Sequence, residues 1–70
     1  MSFEKRVQKT IDYLNSAQGK ENWEINLTRG YTYSMNLFAA VQTATLLIKY
    51  ETITEIINEI RGRWSKEIAA

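Results

Sequence analysis

The chain has no cysteine and no histidine. These two absences remove several chemistries together. No disulfide can close, no zinc site of the common thiolate or imidazole type can form, and nucleophilic catalysis by Cys–His or Ser–His pairs is excluded. No GxxxxGK or GxGxxG spacing occurs, so no phosphate cradle is readable. Net charge is also nearly absent. Nine Lys and Arg against eight Asp and Glu leave a formal +1, which argues neither for a general nucleic-acid binder nor for an acidic decoy. The opening MSFEKRVQKT has no apolar stretch after its charged residues, so no secretory leader is expected there and the expected location is cytoplasmic.

What is present is a chain of 70 residues, 44% hydrophobic and 24% charged, the make-up of a folded chain. A single domain over 1–70 is expected. A domain of this size buries only about 60% of its extended surface. Disulfides and metal being excluded, the remedies left are oligomerisation or very good packing. An uncharged run from Gly30 to Ile48 is long enough to raise the question of a membrane span. Its interior carries Thr32, Ser34, Asn36, Gln42, Thr43 and Thr45, which make insertion costly. No membrane association is expected.

Periodicity divides the chain into segments. Phe3, Val7, Ile11 and Leu14 form one narrow apolar stripe of a first helix, with Ser2 as its cap and Gly19 suited to a left-handed stop. Trp23, Ile25 and Leu27 then alternate with Glu24 and Asn26, and Tyr31, Tyr33 and Met35 alternate with Thr32 and Ser34. A three-residue loop at Thr28-Arg29-Gly30, with Gly30 left-handed, would set Leu27 against Tyr31, Ile25 against Tyr33 and Trp23 against Met35. This predicts a hairpin with one apolar face. Leu37 to Tyr50 fits either period. The helix is preferred because no Gly, Pro, Asn or Asp interrupts it, with Asn36 as N-cap and a break around Lys49–Glu51. A last helix carries Ile53, Ile56, Ile57, Ile60 and Trp64 on one face, opened by a Thr52/Glu55 capping box. The expected fold is α+β, α-β-β-α-α, with α-β-β-β-α as the alternative in which residues 37–50 are strand.

The middle helix carries no charge until Lys49, and Phe38, Leu46 and Leu47 are left over once its other sides are covered. These three residues are the expected oligomer interface, in a homodimer across this helix or across the free hairpin edge. No chemistry competes with that reading. Glu55 and Glu59 lie one turn apart, but helical carboxylate sites usually add a histidine, and a Glu59–Arg63 pair is the plainer expectation. The chain is expected to be no enzyme and to need no cofactor or metal. Trp23, Tyr31 and Tyr33 are expected in the core; were the helices to cover the other face, they would make a stacking platform for single-stranded nucleic acid beside Arg29.

Two loose basic groups, Lys5, Arg6 and Lys9 on the first helix and Arg61, Arg63 and Lys66 near the C-terminus, are expected to be solvated surface. Doubled in a dimer, they could touch phosphates. The segment LLIKYETITEIINEIRGRW resembles the turn and second helix of ribbon-helix-helix repressors, dimers that read DNA with a polar strand placed directly before two helices. The resemblance covers less than a third of the chain. Here a second strand is expected after the first, no Gly marks the turn and a whole helix precedes it. The leading expectation is a small homodimeric binding protein that acts by protein–protein contact, in the style of phage or mobile-element inhibitors. The alternative is a DNA-binding regulator of ribbon-helix-helix type, contacting DNA through Lys5, Lys9, Arg29, Arg61 and Arg63.

Overall fold

The computed structural model describes residues 2–69, with side chains through Trp64. It contains four helices: α1 (Phe3–Asn15), α2 (Ala17–Thr28), α3 (Tyr33–Thr45) and α4 (Tyr50–Ala69). No strand occurs among the described residues, which overturns both α-β-β-α-α and α-β-β-β-α.

The reason lies at Ser16. Its backbone N–H donates to the Tyr13 carbonyl at 3.0 Å and closes α1, while its hydroxyl oxygen accepts from the Gly19 N–H at 3.0 Å and opens α2. One serine therefore ends one helix and caps the next, and the segment read as a first strand becomes helical. Gly19, expected as a left-handed stop, lies buried inside α2. Its lack of a side chain serves close approach: a Cβ there would stand 1.8 Å from the Tyr13 carbonyl oxygen. The alternation that suggested a strand also parts company in space. Trp23 is buried, whereas Ile25 and Leu27 are 38% and 42% exposed.

Gly30 does take the left-handed conformation, with φ 90°. It closes a helix instead of turning a hairpin. The Gly30 N–H bonds to the Leu27 carbonyl and the Tyr31 N–H to the Asn26 carbonyl, each at 3.0 Å, the paired bonds of a Schellman stop. Thr32 then caps α3 by accepting from the Met35 N–H at 3.1 Å. Asn36, the expected cap, is buried within the helix. The helical preference for the middle segment holds for residues 37–45, and the chain breaks at 46–49, just before the expected point. Because α4 starts at Tyr50, Thr52 lies inside its first turn and does not open it.

Helices α1 and α3 form the central pair, and α2 and α4 each pack on both. The core joins Val7 and Leu14 of α1, Leu37 and Val41 of α3, and the face of α4 carrying Ile53, Ile56, Ile57, Ile60 and Trp64. That face is the one the spacing predicts. Helix α2 contributes chiefly Trp23, whose ring meets Trp64 edge-on at 5.2 Å and Tyr33 at 5.7 Å. The radius of gyration is 11.1 Å, against about 11 Å expected for a compact chain of this length. The surface of 4605 Å² is close to the roughly 4500 Å² of a compact monomer of 8.2 kDa. The chain thus covers its middle helix better than its length alone suggested.

Candidate functional site

The most unusual backbone lies between α3 and α4. Leu46 follows the last turn of α3 in the left-handed region, with φ 60° and ψ 20°. It is the one non-glycine residue with positive φ among the described residues. For a residue with a Cβ this conformation costs about 1–2 kcal/mol. Packing within the chain does not repay the cost, because Leu46 is 84% exposed. What it gains is direction. The Leu46 N–H still bonds the Gln42 carbonyl at 2.8 Å, and the chain then turns so that Leu47 packs against the core while Ile48 points out, 89% exposed.

Tyr50 at the start of α4 is 69% exposed, and Met35 on α3 is 51% exposed. The Tyr50 ring lies 5.8 Å from that of Phe38. Two shallow grooves meet at Met35 and Phe38. One, of about 310 Å³, runs along Tyr50, Thr54, Ile57 and Arg61; the other, of about 260 Å³, runs toward Tyr31 and Gln42. Leu46 and Ile48 thus form an exposed apolar ridge after α3, and the grooves run along Met35 and Phe38 in the first half of that helix. Of the three residues expected at an interface, Leu46 is fully presented, Phe38 is half-buried at the groove and Leu47 faces inward.

The basic residues do not converge. Lys5 and Lys9 are exposed on α1 and Arg29 is exposed at the end of α2. Arg61 lies over the Tyr33 ring at 5.6 Å and donates to the Ser34 hydroxyl. Arg63 pairs with Glu4 at 2.6 Å and with Glu59, as spacing predicts, at 2.8 Å. Hydrogen bonding from Arg63 holds the Glu4 carboxyl below its ordinary value, and both carboxylates push the Arg63 guanidinium up. Two of the proposed phosphate contacts are thus engaged within the chain. The side chain of Lys66 lies outside the described residues. Trp23 is buried as expected of a core residue, and its Trp64 partner donates an indole N–H to Asn15 at 2.9 Å.

Sequence reasoning missed the inward face of α2. Gly19, Asn22, Trp23 and Asn26 recur at helical spacing, a pattern hidden by the stronger period-two signal of Trp23, Ile25 and Leu27. Asn36 donates to the Trp23 carbonyl at 3.0 Å and accepts from Asn26 at 3.0 Å. Asn22 donates to the Tyr13 hydroxyl at 2.8 Å. These bonds hold α2 in place where aliphatic contacts are few.

No family model, curated protein or solved structure matches this chain. No helix among the described residues is long and apolar enough to cross a membrane.

Proposed function

We propose that the chain is a small non-enzymatic binding protein that works by protein–protein contact, and that its contact surface is the apolar corner between α3 and α4. The observation that carries this reading is Leu46, held in a costly backbone conformation that displays an apolar side chain to solvent. Strained, exposed apolar residues cluster at surfaces that have a partner. The partner we assign is a second copy of the chain. An isologous interface sets the same patch of each protomer against its copy, so the exposed Leu46 and Ile48 of one chain can meet those of the other. Charge is self-complementary as well: exposed Lys49 and Glu51 flank the ridge, so a two-fold axis can set each against the other. A standard interface takes about 800 Å² per partner, roughly a sixth of the 4605 Å² surface.

The ribbon-helix-helix alternative loses its reading element, because the residues expected to form a ribbon are helix and turn. Sedimentation across micromolar concentrations tests the assignment. Leu46→Glu is expected to give a folded monomer, whereas Leu47→Glu, which places a charge against the core, is expected to unfold the chain. A Leu46→Glu variant that sediments as the unsubstituted protein does would count against this surface.

A further inference from the structure

On the side of the molecule formed by α1, α2 and α3 lies a second, different concavity of about 250 Å³. Small residues, Gly19, Ala39 and Ala40, leave the room for it, and Tyr13, Asn22, Asn26, Tyr31 and Thr43 line it. No charged side chain is among its lining residues. Its chemistry is therefore amide, phenol and hydroxyl. We propose that this cleft binds one uncharged nucleobase by its donor–acceptor edge.

Asn22 and Asn26 lie one turn apart on α2, so their side chains rise from the same face. Each commits one N–H to an internal bond, Asn22 to Tyr13 and Asn26 to Asn36. A side-chain amide has two N–H donors and a carbonyl acceptor. Each asparagine thus keeps one N–H and its oxygen without a partner among the described residues, and the internal bond fixes where they point. A paired donor and acceptor on a planar amide is what reads the complementary edge of a base. Tyr13 and Tyr31, each half-buried, add phenol groups to the lining, while Trp23 stays packed in the core behind it. Other ligand classes fit less well. A phosphate or carboxylate would find no cation, and a purely apolar ligand would leave the amides unpaired. The volume lies just under the roughly 300–1,000 Å³ of pockets for drug-sized ligands, which suits a single ring system.

The full chain labelled with ¹⁵N is titrated with uridine, N3-methyluridine and glucose, following the side-chain amide resonances of Asn22 and Asn26. Uridine is expected to shift both, with N3-methyluridine about tenfold weaker because its edge has lost the donor. Asn22→Ala is expected to weaken uridine by a similar factor. Thr43→Phe, at an exposed rim position, blocks the cleft without touching the core and decides the matter should Asn22→Ala fail to fold. A short oligouridylate separates the sources. Tighter, salt-steep binding than uridine identifies a base in a single strand, and equal affinity per base identifies a free nucleoside; either supports the cleft. No shift with uridine, equal binding of N3-methyluridine or glucose, or undiminished binding by Thr43→Phe overturns the proposal.

Discussion

The Tyr33 hydroxyl is buried with no hydrogen-bond partner among the described residues, while its ring packs on Trp23 and beneath the Arg61 guanidinium. An unsatisfied buried donor costs about 1–3 kcal/mol, and the ring contacts survive its removal. Tyr33→Phe is therefore expected to be neutral or to stabilise by up to about 1 kcal/mol in urea denaturation; a clear loss of stability would show that the hydroxyl has a partner. Burial also raises the Tyr33 phenol above its ordinary value, with Arg61 opposing. A raised folded value means a contribution fully present below about pH 10 and lost as pH rises through the folded value. Tyr33→Phe should flatten that alkaline limb. Glu4 has the opposite sign. Arg63 lowers its carboxyl, so its contribution is present above about pH 4.3 and lost as pH falls through the folded value. Glu4→Gln is expected to flatten the acid limb, and because the pair is exposed, salt should shrink the difference between the two proteins.

At the scale of elements, two glycines in helices make opposite demands. Gly19 lets the start of α2 press on the end of α1, and a Cβ would meet backbone there, which cannot swing aside. Gly62 of α4 faces open space. Gly19→Ala is expected to cost about 3 kcal/mol, the upper end of overpacking penalties, and Gly62→Ala to stabilise by about 0.5–1 kcal/mol through helix propensity. Thermal melts of both variants check the pair, and similar effects would contradict the close approach at Ser16. The same place explains how far the sequence could be read. The helices α1 and α4 were legible because their apolar residues repeat at 3.6 with nothing competing. Helix α2 was not, since Trp23, Ile25 and Leu27 alternate as a strand does and Ser16 was not read as the cap of a second helix. Gly30 was legible as left-handed but ambiguous in purpose, because a hairpin loop and a Schellman stop both need that conformation. At the corner, Leu46 was legible as surplus apolar surface; its backbone strain, and the inward turn of Leu47, depend on a four-residue break that no Gly or Pro announced.

For the molecule as a whole, shape and surface are those of a compact small protein, so the case for assembly rests on one corner and not on a shortage of chain. Leu46 sets stability and contact against each other there. Its left-handed backbone works against the fold, and its exposed side chain contributes little to the core. Leu46→Gly removes the strain together with one of the two side chains of the ridge, leaving Ile48. The decisive measurement is urea denaturation of this variant beside its sedimentation across micromolar concentrations. The variant is expected to be a monomer more stable than the dissociated parent by about 1 kcal/mol, the cost of a left-handed residue relieved, while the unsubstituted protein sediments as a dimer. A parent that is monomeric at the highest concentration, or a Leu46→Gly variant that still dimerises or is less stable, would contradict this role of Leu46.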